Sequence, residues 1–267
     1  MPALTPTLRQ EYEDLFKTCL IRPERAAEVE RTANQIASGK TRYETVSTQT
    51  GVPWHFIGII HSLECSSSFK QHLHNGDPLT ARTVHVPKDR PKSGQPPFQW
   101  EDSAVDSLTY EEFAGESDWS LATSLWRFEK YNGWGYRGKK INSGYLWSFS
   151  QHYTKGRYIS DGVWSDTAVS NQCGAAVLLR RMAERGLVQL PDQPTPKPDT
   201  NPLVVPYSTR KPKNEETLTR ALELQRWLNT FTGIFLKVDG ICGDKTSEAY
   251  RQVTGSYLPG DPRAPLN

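Results

Sequence analysis

The chain has no long apolar run and little net charge. Over 267 residues, no apolar stretch approaches the roughly 18 residues that a membrane-spanning helix needs. The 32 basic residues nearly balance the 30 acidic ones, which leaves a formal net charge of +2. Such a balance argues against a dedicated polyanion-binding protein. We therefore expect neither membrane insertion nor a nucleic-acid partner.

Cysteine is also scarce, and no metal-binding motif is present. Four cysteines lie far apart in the sequence: Cys19, Cys65, Cys173 and Cys242. None has a partner at zinc-ligand spacing, and His72 and His74 have no acidic or histidine partner at helical spacing. We expect small buried thiols, synthesis in a reducing cytosol, and no metal or cofactor. The first ten residues, MPALTPTLRQ, lack the basic-then-apolar order of a secretory signal.

The most informative stretch is the apolar segment that follows Pro53. Proline suits the first turn of a helix, and the apolar run that follows it continues for about three turns. Ile57, Ile60 and Glu64 then fall on one helix face. Burial and the negative end of a helix dipole both raise the pKa of a carboxyl group. Glu64 is therefore a candidate general acid, although a solvated glutamate at a helix end has the same local pattern.

The residues after this helix predict a tight turn and a short β-hairpin. The turn sequence is Asn75-Gly76-Asp77-Pro78, and residues 82–86 alternate like a strand. A helix ending in Glu, followed by a hairpin with Asp and Thr, resembles the phage-type lysozymes. Asp77 and Thr83 keep that family's five-residue gap, whereas the twelve residues between Glu64 and Asp77 exceed the family's gap. The resemblance implies that Glu64, Asp77 and Thr83 are catalytic.

A second resemblance concerns the residues around Glu64 and a later triplet. The run ECSSSF that starts at Glu64 is similar to a motif of goose-type lysozymes and lytic transglycosylases. The same families carry a triplet similar to Tyr131-Asn132-Gly133 at the substrate cleft. Here that triplet ends a helix predicted over residues 118–131, which is also what an ordinary glycine helix stop requires. The transglycosylase resemblance implies catalysis by a single Glu.

Aromatic residues are plentiful, with eight Trp and eleven Tyr. Many fall in residues 131–164, where they alternate with hydrogen-bonding side chains such as Arg157, an arrangement that suits an amino-sugar polymer. The candidate substrate-binding residues are Tyr131, Asn132, Trp134, Tyr136, Tyr145, Gln151 and Tyr153. Asp161 is a candidate second carboxylate. Core packing explains any of these aromatic residues equally well.

The remaining pattern before residue 190 predicts helices and one surface loop. Helices are predicted over 7–38 with a break at Pro23, over 102–114 and over 165–186, and proline-rich residues 87–99 predict the loop. The composition then changes. Seven prolines between residues 191 and 212 predict an extended linker over 191–213.

Residues 214–267 carry the most specific motif in the chain. Leu224-Gln225, Leu228-Asn229, Gly233 and the run VDGICGDKT from residue 238 closely resemble the small three-helix peptidoglycan-binding domain. In this chain Cys242 replaces that family's usual Phe. The resemblance implies binding to the bacterial cell wall through exposed side chains near the motif, for which the candidates are Trp227, Phe235 and Tyr250.

Taken together, these motifs make the chain resemble a modular phage endolysin. They imply a mainly α fold: a lysozyme-like α+β catalytic domain with a small β-hairpin (residues 1–190), the linker (191–213) and a three-helix wall-binding domain (214–267). The expected activity is that of a muramidase, which hydrolyses the β-1,4 bond between N-acetylmuramic acid and N-acetylglucosamine. A lytic transglycosylase and a non-catalytic wall-binding or virion structural protein remain alternatives. The expected enzyme is monomeric, bacteriolytic and released from the host cytoplasm to the wall through a holin.

Overall fold

The computed structural model describes residues 2–160, 162–190, 205–231 and 233–264. Contacts divide the chain into two compact units. The N-terminal unit spans residues 1–13 and 21–188, and the C-terminal unit spans residues 14–20 and 189–267. The sequence predicted a boundary at residue 190 but did not predict that residues 14–20 group with the C-terminal unit.

The described residues up to 190 form mainly helices. In chain order these are α1 (Pro6–Thr18), a 3-10 turn (Pro23–Arg25), α2 (Ala26–Ser38), α3 (Lys40–Thr50), α4 (Trp54–Cys65), α5 (Trp100–Tyr110), α6 (Leu121–Asn132), α7 (Gly135–Gly138), α8 (Gly144–Trp147) and α9 (Ala175–Glu184). Two strands, β1 (Arg157–Ser160) and β2 (Val163–Ser165), pair antiparallel. The prediction of a mainly helical fold is confirmed, and the small antiparallel sheet of the described residues lies at 157–165 rather than at the predicted hairpin.

Helix α4 is the central element of the N-terminal unit. It packs against α2, α3 and α9, which explains why its sequence is apolar on nearly every face. Phe56, Ile57, Ile59 and Ile60 have no exposed surface. Gly58 allows the close approach of α2, because a Cβ atom there would lie 2.7 Å from a methyl carbon of Ile36.

Both ends of α4 lie where the sequence predicted them. Pro53 precedes the first turn with φ of −57°. At the other end, Ser66 and Ser67 adopt left-handed φ values of 49° and 58°, and the N–H of Ser67 donates to the carbonyl oxygen of His61 at 3.1 Å. The helix therefore stops one residue after Glu64.

Two predicted elements are wrong in part. Residues 82–86 form no strand; the only ladder contact described nearby is an isolated bridge between Gln71 and Pro78. The helix predicted over 165–186 is limited to α9, because residues up to Ser165 pair with β1. Gly174 then lies so close to α8 that a Cβ atom would sit 2.2 Å from the carbonyl oxygen of Leu146. Neither α3 nor the β1–β2 hairpin was predicted.

From residue 205 onward the described residues form two helices, α10 (Glu215–Leu228) and α11 (Asp244–Thr254), and the three-helix arrangement stays a prediction. Cys242 is 2% exposed in the core of the C-terminal unit. Val205 belongs to the same core, and the N–H of Tyr207 donates to the carbonyl oxygen of Pro259. Residues 205–207 are thus packed rather than part of an extended linker. The rest of the predicted linker up to residue 204 lies outside the described residues.

Two further expectations concern thiols and membranes. All four cysteines are buried, as predicted. None of the helices in the described residues has both the length and the apolar character needed to cross a membrane.

Candidate active site

The site is built around the carboxyl group of Glu64. The hydroxyl of Tyr145 donates a hydrogen bond of 2.7 Å to Oε1 of Glu64. Tyr145 lies in the first turn of α8, where its N–H donates to the side chain of Ser143. Gly144 packs against the ring of Tyr153, because a Cβ atom would lie 3.0 Å from it. These local contacts fix the start of α8 and hence the direction of Tyr145.

The environment of Glu64 favours the protonated acid. Burial raises the pKa of Glu64 to about 7, the hydrogen bond from Tyr145 opposes this rise, and the charge of Glu111 adds to it. Protein surrounds the carboxyl group closely, yet the residue as a whole is half-buried rather than sealed from solvent. Glu64 therefore carries a proton in a substantial fraction of molecules near neutral pH.

A second tyrosine, Tyr131, lies near the carboxyl group of Glu64. The hydroxyl of Tyr131 donates to the carbonyl oxygen of Leu73 at 2.8 Å and lies 3.2 Å from the hydroxyl of Ser107. Burial, and then the nearby charge of Glu64, raise the pKa of both Tyr131 and Tyr145 well above the ordinary value. Both phenols thus remain neutral hydrogen-bonding groups beside the carboxyl.

A cleft of about 440 Å³ opens beside the last turn of α4. Its lining residues are Asn132, Gly133, Gly135, Tyr136, Tyr145, Arg157, Tyr158, Ile159, Ser160, Gly162, Ser170 and Gln172. Tyr145 both lines the cleft and binds Glu64. Gln172, also in the lining, donates to the carbonyl oxygen of Leu63 at 2.7 Å. The cleft is therefore connected to the Glu64 carboxyl through direct contacts.

The resemblance implied a catalytic role for Asp77, but its carboxyl group binds residues of the loop that follows. Its Oδ2 accepts from the N–H groups of Val84 and His85 at 2.8 and 3.0 Å, and its Oδ1 lies 2.7 Å from Nδ1 of His85. Burial opposes ionisation, but these donors outweigh it and lower the pKa of Asp77. Both oxygens are committed to holding the loop that follows.

Thr83 belongs to the same loop. Its hydroxyl donates to the carbonyl oxygen of Pro87 at 2.5 Å and accepts from the N–H of Arg90 at 3.0 Å. The residue is 3% exposed. These bonds take the place of the strand predicted over residues 82–86, since a loop tied by side chains needs no ladder partner. Thr83 and Asp77 thus organise the loop rather than facing the cleft.

The predicted substrate-binding residues divide into two groups. Asn132, Tyr136 and Tyr145 line the cleft. The other four do not line it. Tyr131 binds Leu73 and Ser107, and the ring of Trp134 lies 5.6 Å from the ring of Trp126. Gln151 is exposed, and Tyr153 is buried with its hydroxyl donating to the carbonyl oxygen of Gly156. The sequence did not single out Tyr158 or Gln172. Residue 158 fell within the aromatic segment, but no pattern indicated that a hairpin would carry it to the cleft. Asp161 lies outside the described residues.

In the C-terminal unit the motif residues are structural. The side chain of Gln225 accepts from the N–H groups of Asp239 and Gly240 and donates to the carbonyl oxygen of Ile241. Gly240 has φ of 78°, and a Cβ atom there would lie 2.4 Å from Leu218. The motif therefore closes the turn before α11.

Two of the three predicted wall-binding residues are placed in the core. Phe235 is 9% exposed and Tyr250 is 5% exposed, so neither presents a ring to a ligand. Trp227 is only partly buried and meets Phe231 edge-on at 5.0 Å. The prediction that Phe235 and Tyr250 are exposed is wrong, because the compact unit uses them to fill its small core.

In the described residues, burial raises the pKa of Glu64 to about 7. The carboxyl group of Glu64 accepts a hydrogen bond from Tyr145, which lines an aromatic and polar cleft. The described residues contain no group of three or more His, Cys, Asp or Glu side chains that could hold a metal ion. This arrangement can deliver a proton to a bound molecule and receive it back. No protein-family model, curated protein or solved structure matches the chain.

Proposed function

We propose that the N-terminal unit is a glycosidase that cleaves peptidoglycan strands with Glu64 as its general acid. The observation that carries the proposal is the carboxyl group of Glu64, whose pKa is raised to about 7 by burial and which accepts a hydrogen bond from the cleft residue Tyr145. Cleavage of a glycosidic bond needs a proton on the leaving oxygen. A carboxylic acid with this pKa holds that proton at neutral pH.

The cleft suits a sugar polymer in its chemistry. Tyr158 offers an aromatic ring on which a sugar face can pack, while Asn132 and Gln172 offer amide groups to hydroxyl and N-acetyl substituents. The motifs around Glu64 and Tyr131 resemble those of enzymes that cut between N-acetylmuramic acid and N-acetylglucosamine. We therefore assign that β-1,4 bond as the target.

The position of Asp77 favours lytic transglycosylase chemistry over hydrolysis. Hydrolysis by inversion needs a second carboxylate to activate water, but both oxygens of Asp77 are occupied by the loop. In the alternative, Glu64 protonates the leaving oxygen as the glycosidic bond breaks. The 6-hydroxyl of the same muramic acid then bonds to its anomeric carbon, and that hydroxyl proton passes to the Glu64 carboxylate. No water is consumed, and Glu64 ends protonated as it began.

For the C-terminal unit we propose attachment to the cell wall. The proposal rests on its motif resemblance and on Trp227, the one predicted wall-binding residue that is not in the core. A wall-bound module joined to an enzyme raises the enzyme's local concentration on an insoluble polymer. Replacing Trp227 with Ala should reduce the fraction of protein that sediments with purified walls and leave the cleavage of short soluble strands unchanged.

The test of the catalytic proposal is product analysis on purified peptidoglycan. The wild-type chain should release soluble fragments, and mass spectrometry should find anhydro-muramic ends, one water lighter than reducing ends. Reducing ends would instead establish hydrolysis and return attention to a second catalytic group. If no fragments are released under any condition, the unit is a non-catalytic binding or structural module and the proposal fails.

A further inference from the structure

Arg157 stands out among the residues that line the cleft beside Glu64. Within the described part of the chain it is the only lining residue with a permanent charge. Its Nε donates to the carbonyl oxygen of Tyr158 at 3.2 Å. Among the described residues, no carboxylate forms an ion pair with Arg157 and no group accepts a hydrogen bond from either terminal nitrogen of its guanidinium. The residue is half-buried.

The backbone around Arg157 is fixed rather than loose. Gly156, directly before it, has φ of 96°, and a Cβ atom there would lie 2.8 Å from Ile141 and 2.9 Å from Trp164. Only glycine fits this position without strain. Arg157 then begins β1 and pairs with Ser165 across the hairpin. The start of the strand, and so the origin of the arginine side chain, is set by these contacts.

The charge of Arg157 affects the pKa values of two neighbouring tyrosines. Burial raises the pKa of both Tyr136 and Tyr153, and the positive charge of Arg157 partly offsets that rise in each. The guanidinium is therefore close to both phenols. Because phenols at neutral pH carry no charge, they leave its positive charge uncompensated.

A guanidinium with two free terminal nitrogens matches a carboxylate in a two-pronged hydrogen bond. We propose that Arg157 is a specificity-determining residue that binds a carboxylate on the muramic acid side of the substrate. This inference rests on the proposed function and deepens it. The carboxylate belongs either to the lactyl group of muramic acid or to the peptide attached to it. Polymers of N-acetylglucosamine carry neither group, so Arg157 would separate cell-wall glycan from chitin-like glycan.

The experiment measures binding, so that it does not depend on turnover. Glu64→Gln protein is titrated calorimetrically with three soluble oligosaccharides of equal length. The first is a wall glycan with its peptides, the second the same glycan after amidase removal of the peptides, and the third an N-acetylglucosamine oligomer. Each titration is repeated with Arg157→Gln, Arg157→Lys and, as a charge-matched control, Lys155→Gln. Lys155 is exposed two residues away and is absent from the cleft lining.

Arg157→Gln should weaken binding of at least one carboxylate-bearing glycan by about tenfold, the scale of a charge-assisted hydrogen bond. It should leave the N-acetylglucosamine oligomer unchanged. Weakening on the amidase-treated glycan assigns the lactyl carboxylate, whereas weakening only on the peptide-bearing glycan assigns the peptide. Arg157→Lys should lie between wild type and Arg157→Gln, and Lys155→Gln should match wild type.

Two results overturn the inference and separate it from the proposed function. If Arg157→Gln weakens all three oligosaccharides equally, or none of them, Arg157 does not read a carboxylate although the cleft still binds glycan. If the protein with intact Arg157 binds none of the three, the cleft is not a glycan site and the proposed function falls with it.

Discussion

Two carboxyl groups close in the sequence, Glu64 at the end of α4 and Asp77 in the following loop, have opposite environments. Among the described residues Glu64 has a single hydrogen-bond donor, Tyr145, and burial raises the pKa of Glu64 to about 7. Asp77 is also buried, but two backbone N–H groups and the His85 ring donate to it, and its pKa is lowered. Burial and the number of donors together decide which carboxyl keeps its proton.

This difference separates a reactive group from a structural one. A buried acid with few donors stores a proton at neutral pH and can give it to a substrate. A buried carboxylate with a full set of donors stabilises the loop that supplies them. Changes at the two sites should therefore have opposite consequences for activity and stability.

The largest effect is expected from Glu64→Gln. Loss of a general acid lowers a rate by about 10²–10⁴-fold, while the amide can still accept the Tyr145 hydrogen bond and keep the site folded. The measurement is the initial rate of fragment release from purified peptidoglycan. Glu112→Gln is the matched control, because Glu112 is exposed and its only described ion pair is with Lys130.

The control should retain the wild-type rate. Release at an undiminished rate by Glu64→Gln would remove Glu64 from the mechanism and end the contrast with Asp77.

The second effect is on pH dependence. The acid form of Glu64 is required, so the rate should fall about tenfold for each pH unit above a pKa of about 7. The same shift affects folding. Because the folded-state pKa lies above the ordinary value of 4.5, the folded state holds a proton that the unfolded state has lost, and stability falls as pH rises from 4.5 to 7.

That loss of stability should be absent in Glu64→Gln. The variant should therefore be more stable than wild type at pH 8, by at most about 3 kcal/mol for a pKa raised from 4.5 to about 7. Denaturant unfolding of both proteins at pH 4 and pH 8 measures it. Equal stabilities at pH 8 would show that Glu64 is not desolvated.

The third effect is at Asp77. Asp77→Asn weakens three hydrogen bonds to a charged acceptor and should lower the free energy of unfolding at pH 7 by about 1–3 kcal/mol. Since the folded-state pKa of Asp77 is lowered, this contribution is present above its ordinary value of 3.8 and is lost as pH falls through the folded-state pKa. Activity should stay within about tenfold of wild type, because Asp77 is not expected to act as a general base, whose loss would lower the rate by about 10²–10⁴-fold.

Asp89→Asn is the control for this loop, because Asp89 is exposed and pairs only with the exposed Lys92 in the described residues. It should unfold like wild type. A large loss of activity in Asp77→Asn with unchanged stability would make Asp77 a catalytic base and favour hydrolysis over the transglycosylase route.

The sequence predicted the Glu64 side of this comparison well. Apolar spacing places Ile57, Ile60 and Glu64 on one face, and the proline before the helix and the serines after it mark its ends. These are local signals, and a helix is a local structure. The raised pKa of Glu64 followed from the same pattern before any contact was known.

The other side depended on contacts between distant residues. The hydrogen bonds from Val84 and His85 to Asp77 cannot be predicted from the sequence pattern of residues 82–86. These residues alternate between apolar and polar like a strand but form no strand. The cleft likewise needs a hairpin and a close approach of Gly174 to α8, neither of which periodicity reports. In the C-terminal unit the motif was recognised, but burial of Phe235 and Tyr250 depends on the whole core.

The smallest effect, and the sharpest test of how donors set the pKa, is Tyr145→Phe. The Tyr145 hydroxyl lowers the pKa of Glu64 against the effect of burial, so its removal should raise that pKa and move the decline of activity to higher pH. The pH profile of kcat/KM measures it, with Tyr136→Phe as control. Tyr136 lines the same cleft but does not bind Glu64, so its loss should change KM and leave the pH of the decline in place. A downward shift in Tyr145→Phe would mean that the hydroxyl stabilises the protonated acid, and the donor count would then not explain the difference between Glu64 and Asp77.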